Sequence, residues 1–362
     1  MKILSLFDGM SCGMIAMKLA GLPVDRYDAW EIDKYAVTAS KHNFPEIIHH
    51  GDVFEADFTE YQGYDFLVGG SPRTYWSIAQ NPDKRETTAS GLGWDLFSQY
   101  VRALHEAQPR MFIYENNKSM SKDIRASITE TFGFDPICIN SALVSAQNRQ
   151  RLYWVGVRNA DGTYRKASIE QPEDRGILLK DVLDSAIAWH DNDKAVPHFQ
   201  RLEVNDNAQQ TNALTTVSKD NLIIEPVRGP VQIGKTRDSQ GCRIYSPEGK
   251  SVTLSGRAGG VGANTGLYAT QEKDAKGQHV YTVQDGQIEV SGKRYPIKLR
   301  DGKYIIRKLT VSECMRLQTV PEWYDFSCVS NTQAYKMLGN GWTCEVIAHL
   351  IRGAMRSSIF GV

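Results

Sequence analysis

The stretch KILSLFDGMSCGMIAMKLAG, residues 2–21, decides the fold of this chain. It opens with an apolar run typical of a buried strand, turns sharply at a glycine, and continues with apolar residues at helical spacing as far as Gly21. A strand, a turn of small residues and a helix predict an α/β unit in which a ligand can approach the N–H groups of the helix N-terminus. The turn is not GxGxxG, and taken alone it is equally compatible with a structural connection.

The alternation of strands and helices continues through the first half of the chain. The runs YDAWE, DFLVGG, RMFIYE and LYWVGV are strand-like, and the helical run WDLFSQYVRALHEA separates the second from the third. This order predicts a doubly wound, mostly parallel sheet of the Rossmann-like α/β class with helices on both faces. The runs LTVSECMRLQ and CEVIAHLIRGAM near the C-terminus have helical spacing again, so we expect the chain to return to this domain.

The composition changes between about Pro197 and Asp301, where Thr-rich polar runs alternate with Gly, Asn and Asp turns. Such a region predicts a small β-rich domain inserted into the first one. A length of 362 residues agrees with two domains at about 150 residues each. We therefore predict one domain made of residues 1–190 and 305–362, interrupted by a second at residues 191–304.

Charge and cysteine content narrow the class of protein. The chain carries 42 basic and 42 acidic residues, so its formal net charge is zero and does not attract a polyanion. A polyanion would have to bind a local basic surface. Its 6 cysteines are scattered without a CxxC pair, which indicates reduced thiols of a cytoplasmic protein and no metal site. No secretion signal and no apolar stretch long enough to span a membrane is evident.

Acidic residues follow two further predicted strands. Glu31 ends the second strand about 20 residues after the first turn, where an acid can accept hydrogen bonds from a ribose. Asp52, in GDV, lies at the edge of the third strand. These strand ends suit an adenosine ligand at the carboxyl edge of the sheet.

Six motifs in order make the resemblance specific: the chain resembles the DNA (cytosine-5) methyltransferases of bacterial or phage type. FDGMSCG is similar to the family's cofactor motif, and GGSPRTYWS occupies the place of its catalytic GGPPCQ motif. The remaining matches are YENNKSM to the Glu-Asn-Val motif, QNRQRLYWVG to Gln-x-Arg-x-Arg, RKLTVSECMRLQTVP to the motif after the recognition domain, and GNGWTCEVI to the last motif. The segment between residues 190 and 305 matches only as the variable target-recognition domain.

The resemblance implies S-adenosylmethionine as cofactor and S-adenosylhomocysteine as its product. It implies that Phe7 stacks on the adenine, that Glu31 holds the ribose hydroxyls and that Asp52 faces the adenine amino group. Each residue taken singly is as compatible with a core position or a solvated strand end, and it is the order of the motifs that favours the cofactor role. The residues that the resemblance places at the cofactor are Phe7, Asp8, Gly9, Gly13, Glu31, Ile32, Asp52, Val53, Leu96 and Asn340.

The resemblance also implies a reaction. In this family a cysteine thiolate adds to C6 of a cytosine flipped out of the duplex, and C5 then attacks the sulfonium methyl group. Glu115 matches the acid that protonates N3, Arg151 matches the residue that holds O2, and Arg149 is the other arginine of its motif. Position 73 belongs to the cysteine, so the implied catalytic set is Arg73, Glu115, Arg149 and Arg151.

Arg73 departs from the family pattern, because a guanidinium stays protonated and cannot replace a thiolate. We therefore expect the chain to be inactive or nearly so. Two explanations remain open: a substitution in an otherwise active enzyme, or a natural non-catalytic relative that binds DNA or regulates a partner. Asn117 is a second departure, since the family usually has valine after Glu-Asn.

Double-stranded DNA is the expected partner, and a cytoplasmic monomer without membrane contact is the expected state. A methyltransferase of small molecules is a third reading, against which the inserted domain argues. Basic residues among Thr, Ser and Asn in that domain suit phosphate and base-edge contacts, although they are equally compatible with a solvated surface. They are Lys219, Lys235, Arg237, Arg243, Lys250 and Arg257.

Overall fold

Strands and helices alternate along the first part of the chain as the sequence predicts. The computed structural model describes residues 1–72, 75–76, 85–183 and 309–360, and between the last two ranges residues 232–235, 243–245, 249–251, 267–271, 280–290, 292–297 and 301–307. The elements up to residue 183 are β1 (Lys2–Leu6), α1 (Cys12–Leu19), β2 (Arg26–Trp30), α2 (Lys34–Asn43), β3 (Ile48–His50), β4 (Phe66–Gly69), α3 (Leu92–Ala107), β5 (Met111–Asn117), α4 (Lys122–Phe132), β6 (Ile137–Asn140), β7 (Gln150–Arg158) and β8 (Tyr164–Lys166).

The first sheet has the strand order β3-β2-β1-β4-β5-β7-β6, and β8 pairs with β7. The five strands from β1 to β5 run parallel, whereas β7 runs antiparallel to β5, β6 and β8. The predicted mostly parallel sheet is therefore confirmed, with an antiparallel edge. The short connection from Asn140 to Gln150 explains that edge, because it contains no α-helix and a parallel return needs a crossover of about a dozen residues or more.

Helices cover both faces of this sheet. The C-terminal helices are α5 (Val311–Leu317), α6 (Asn331–Asn340) and α7 (Cys344–Phe360). On one face, Met14 and Met17 of α1 share a buried core with Ile347 and Ile351 of α7. On the other face, α3 and α4 pack an aromatic core that includes Phe97. The chain thus returns to the first sheet after the intervening region, as the C-terminal helical spacing predicts.

A second, mostly antiparallel sheet forms in the intervening region. Its order is β14-β13-β12-β15-β11-β10-β9, in which only the β10–β11 pair is parallel among the described strands. β15 continues past residue 304, so it crosses the predicted domain boundary, and the use of this region for target recognition stays a prediction. The strands are β9 (Gln232–Lys235), β10 (Arg243–Tyr245), β11 (Leu267–Gln271), β12 (Val280–Gln284), β13 (Gln287–Val290), β14 (Lys293–Pro296) and β15 (Gly302–Arg307).

A substitution at Gly156 in β7 tests the packing of the first sheet. A Cβ at this position would lie 2.1 Å from Cε1 of Phe112, whose ring is fully buried. Gly156→Ala should therefore lower the free energy of unfolding by about 1–3 kcal/mol, because the core must shift to admit the methyl group. Urea unfolding measures the change.

The matched control is Gly51→Ala, where a Cβ would meet no atom within 4 Å. This substitution should leave the unfolding midpoint unchanged or raise it slightly, since alanine restricts the unfolded chain. Equal midpoints for the two variants would contradict the packing described for β7.

Candidate active site

The turn after β1 has an unusual backbone. Phe7, Gly9 and Ser11 all have positive φ, at 56°, 61° and 62°. For the two residues with a side chain, this left-handed conformation is strained and persists only where surrounding contacts hold it. The turn is therefore fixed by its neighbours rather than by local preference.

Asp8 supplies much of that support from beneath the turn. Its buried carboxylate accepts hydrogen bonds from Ser5 Oγ at 2.6 Å, from Tyr27 Oη at 2.7 Å and from Ser11 Oγ. Burial raises the pKa of Asp8, and the three hydroxyl donors partly offset that effect. Gly13 makes room for this network, because a Cβ there would lie 2.4 Å from the Tyr27 hydroxyl.

Glu31, at the end of β2, holds the turn from the side. Its Oε2 accepts the N–H of Gly9 at 2.8 Å, and its Oε1 accepts those of Ile32 at 2.9 Å and Asp33 at 2.7 Å. Burial raises the pKa of the Glu31 carboxyl, while these backbone donors act in the opposite direction. A carboxylate can accept about four hydrogen bonds, so one position remains for a ligand donor. The neighbouring Ile32 side chain is 75% exposed and offers an apolar surface.

A cavity of about 190 Å³ opens between this turn, the end of β4 and the α6–α7 turn. Lys336, on the cavity wall, forms an ion pair of 2.7 Å with Asp33. The sequence-predicted residues that line the cavity are Phe7, Asp8, Gly9, Glu31, Glu115 and Asn340.

The other predicted cofactor residues lie outside this lining: they are Gly13 and Ile32, described above, and Asp52, Val53 and Leu96. The Asp52 carboxylate accepts the N–H of Phe54 at 3.1 Å and so caps a short 3₁₀ turn. Val53 is buried in that turn, and its carbonyl accepts a hydrogen bond from Arg102. Leu96 packs on the α3 side of the sheet against the aromatic core. Their roles at a cofactor stay predictions.

Glu115 and Arg151 meet at the end of β5 and the start of β7. Arg151 Nε lies 3.2 Å from Glu115 Oε1, and Asn117 lies opposite Arg151 in the strand pairing. Burial lowers the pKa of Arg151, and the nearby Glu115 charge opposes that effect. Glu115 Oε1, Arg151 Nε and Asn117 Nδ2 are buried without a hydrogen-bond partner in the described part of the chain. Buried polar atoms of this kind are costly, so their clustering indicates a polar ligand.

The segment leading to position 73 approaches Glu115 closely. A Cβ at Gly70 would lie 2.6 Å from the Glu115 carbonyl oxygen and 3.1 Å from Oε2, so only glycine fits there. Ser71 is fixed by a 2.6 Å hydrogen bond with the Tyr114 hydroxyl, and Ser71 and Pro72 both line the cavity. Arg73 itself lies outside the described residues.

The Arg149 side chain does not line the cavity. It is 1% exposed, and its guanidinium donates to the carbonyl oxygens of Gly339 at 3.3 Å and Gly341 at 2.8 Å. These two contacts hold the turn between α6 and α7. Arg149 therefore supports the site from within the fold, and only the second arginine of the motif, Arg151, lies beside Glu115.

The position of Lys250 contradicts the prediction that this lysine contacts DNA. The residue is 5% exposed, and its ammonium group donates to the carbonyl oxygens of Ala142, Ser145 and Ile177. A buried ammonium with these partners is not positioned to contact a phosphate. The lysine instead fixes a short segment of the intervening region to the first domain, where Ser251 pairs with Gln147. The other basic residues proposed for DNA have side chains outside the described residues.

Trp342 is a site residue that sequence reasoning missed. Its indole N–H donates to Glu115 Oε2 at 3.1 Å, and the ring lines the cavity. The only sequence signal is its position directly after the GNG of the last motif.

Across the described ranges, no three His, Cys, Asp or Glu side chains converge in a way that could bind a metal ion. None of the helices that the structure describes has both the length and the apolar character of a membrane-spanning segment.

Comparison with known proteins gives a consistent result. The family model for C-5 cytosine-specific DNA methylase matches residues 1–356. The chain is 26% identical to the orphan methyltransferase M.SPRI of Bacillus phage SPR, over 99% of this chain and 98% of that protein. It is 26% identical to the type II methyltransferase M.NgoPII of Neisseria gonorrhoeae, over 99% and 96% of the two chains. The structure of the Entamoeba histolytica methyltransferase EhMeth is similar in fold, with a TM-score of 0.61 at 12% identity over 98% of both chains.

Arg149→Lys tests the supporting role of Arg149. A lysine keeps the charge but cannot reproduce the fork that reaches two carbonyl oxygens, so the free energy of unfolding should fall by about 2 kcal/mol. Chemical denaturation gives the value. The control is Arg158→Lys, because Arg158 is exposed and donates to Gln108 at the surface. A loss no larger than that of the control would show that the two carbonyl contacts do not stabilise the fold.

Proposed function

The chain belongs to the C-5 cytosine-specific DNA methylase family, and on this premise we propose that it binds S-adenosylmethionine in the cavity beside Glu31 and a flipped cytosine of duplex DNA beside Glu115. The observation that carries the proposal is that Glu31 and Glu115 line one cavity, and that the Glu115 carboxylate also lies 3.2 Å from Arg151 Nε. A cofactor and a base must meet in a methyl transfer, so a shared cavity is what the reaction requires.

The residues around the cavity suit the cofactor. Glu31 keeps an acceptor position for a ribose hydroxyl, and the exposed Ile32 offers an apolar face for a purine. A Cβ at Gly9 would meet no atom within 4 Å, so the turn leaves open space there. When bound, S-adenosylmethionine supplies an electrophilic methyl group. The chain's own part is to hold and orient that ligand and to exclude water from it.

The cluster at the end of β5 suits a cytosine. Glu115 can accept a hydrogen bond from the N4 amino group of the base and, as a carboxylic acid, donate a proton to N3, while Arg151 Nε can donate to O2. Glu115 Oε1 and Arg151 Nε have no hydrogen-bond partner in the described part of the chain, so hydrogen bonds to a base would offset the cost of burying them. Duplex DNA as the partner, recognised by the intervening region, completes the proposal. Bacterial and phage relatives support a cytoplasmic setting.

Arg73 separates binding from chemistry in this proposal. The family is enzymatic, but position 73 provides no thiolate, so the chain as it stands should bind both ligands and transfer no methyl group. The same residue favours a second candidate, a DNA-binding or regulatory relative that clamps cytosine without methylating it. The two candidates differ in what happens when the thiol is restored.

Glu31→Gln tests the cofactor site. The variant removes a carboxylate that accepts three backbone N–H groups, so affinity for S-adenosylhomocysteine should fall by roughly 5- to 150-fold, the equivalent of about 1–3 kcal/mol. In the unaltered chain, affinity should also fall as the pH is lowered through the raised pKa of Glu31, since the ionised form is the acceptor. Titration calorimetry across a pH series measures both effects.

The control for this titration is Glu46→Gln, which alters an exposed carboxylate paired with Lys18 at 3.8 Å. It should leave affinity and pH dependence unchanged. If Glu31→Gln behaves like this control, the cofactor binds elsewhere.

Arg73→Cys tests the reaction. Restoring the thiol should create C5-methylation of duplex DNA, because Glu115, Arg151 and the cavity are in place. The assay is transfer of a tritiated methyl group from S-adenosylmethionine to mixed-sequence DNA, with Arg73→Cys/Glu115→Gln as the matched control. Bisulfite mapping then identifies the methylated sites.

Two results would go against this reading. Methyl transfer by the chain with Arg73 would exclude the need for a thiolate. An Arg73→Cys form that folds, binds cofactor and DNA, and still transfers nothing would favour the non-catalytic candidate.

A further inference from the structure

Glu115 is held by a residue from the far end of the chain. The indole N–H of Trp342 donates to Glu115 Oε2 at 3.1 Å, across a sequence separation of 227 residues. The other oxygen, Oε1, lies 3.2 Å from Arg151 Nε, but this pair does not meet the geometry of a hydrogen bond. The indole therefore makes the directional contact that fixes the carboxylate, while Arg151 contributes charge.

The position of Trp342 is itself fixed by hydrogen bonds to the turn that carries it. The carbonyl oxygen of Gly341 accepts Arg149 Nη2 at 2.8 Å and Gln318 Nε2 at 3.3 Å. Gln318 Oε1 also accepts the Thr343 hydroxyl at 2.9 Å. A continuous series of contacts thus runs from buried Arg149 through the turn to the indole and on to Glu115.

Trp342 also lines the cavity that contains the Glu31 turn. A ligand in this cavity would touch the residue that orients the Glu115 carboxylate. Glu115 in turn borders Gly70, where no side chain could intervene. The indole therefore belongs to the same cavity lining as Glu31 and contacts the acid through its N–H.

We propose that Trp342 is a positioning residue that orients Glu115 toward the flipped base and makes this orientation responsive to the occupancy of the cofactor cavity. This inference rests on the proposed function for the identity of the two ligands. A glutamate side chain has several accessible rotamers, and loss of the indole donor releases it among them. Misplacement of an acid by about an ångström costs roughly 10- to 100-fold in rate even when the ligands still bind.

The first experiment uses the chain as it exists, with Arg73, and needs no activity. Spectra of protein labelled with ¹⁵N at tryptophan indoles are recorded, and Trp342→Phe identifies the Trp342 resonance by its absence. Glu115→Gln should shift this resonance, because the acceptor changes from a carboxylate to an amide, and S-adenosylhomocysteine should shift it again. A Trp342 resonance that is unmoved by Glu115→Gln would overturn the proposal.

The second experiment uses the Arg73→Cys form. Trp342→Phe keeps an aromatic ring but removes the donor, so it should lower kcat by about tenfold or more while the dissociation constant of S-adenosylhomocysteine changes less than about twofold. Combined with Glu115→Gln, the two substitutions should be strongly non-additive, because both act through one carboxylate. Trp323→Phe is the control, because the Trp323 ring is exposed and packs edge-to-face against Phe44, so this substitution should alter neither quantity.

The outcomes distinguish this proposal from the function on which it rests. Equal losses in cofactor affinity and kcat, additive with Glu115→Gln, would make Trp342 a cavity wall only and overturn the positioning role. If Glu115→Gln shifts the indole resonance but S-adenosylhomocysteine never does and Arg73→Cys transfers nothing, the Trp342–Glu115 contact stands, its response to the cofactor is overturned, and the proposed function fails.

Discussion

Parallel pairing of β1 with β2 and β4 is the constraint on which the site depends. Because these strands run in one direction, their carboxyl ends meet at one edge of the sheet, and the residues that follow them must share a small volume. The turn after β1, Glu31 after β2 and Gly70 after β4 are brought together in this way, although Glu31 and Gly70 are 39 positions apart in the sequence. β5 extends the same edge and adds Glu115.

Two buried carboxylates then shape that edge. Asp8 and Glu31 both have a raised pKa, chiefly because of burial, and the charge of Asp8 contributes to the rise at Glu31. A buried charge is tolerated only with strong hydrogen-bond donors, so hydroxyl groups surround Asp8 and backbone N–H groups surround Glu31. Satisfying these carboxylates holds Phe7 and Ser11 in a strained backbone conformation before any ligand arrives. The turn is therefore preorganised, which reduces the ordering cost of binding.

The sequence predicts the elements of the first domain well, because their hydrophobic period and their glycine turns are local properties. Strand direction is not local, and this is why the antiparallel course of β7 does not follow from the run LYWVGV. The motif around Arg149 and Arg151 shows a similar limit. Since β7 begins at Gln150, Arg149 precedes the strand and its guanidinium reaches the α6–α7 turn, whereas Arg151 lies within the strand opposite Asn117. The roles of Trp342 and Lys250 could not be predicted from the sequence, because their hydrogen-bond partners are distant in the chain.

In the function we propose, recognition and bond formation depend on different groups in this site. The contacts available to a cofactor come from Glu31 and the turn, and those available to a base come from Glu115 and Arg151, with Trp342 orienting the acid. Each of these contacts lies among the described residues, which do not include position 73. A guanidinium in place of a thiol therefore removes the nucleophile while the groups that would recognise the ligands remain. The proposal therefore predicts that this arrangement of donors and acceptors binds both ligands as it stands and becomes catalytic when the side chain at position 73 is a cysteine.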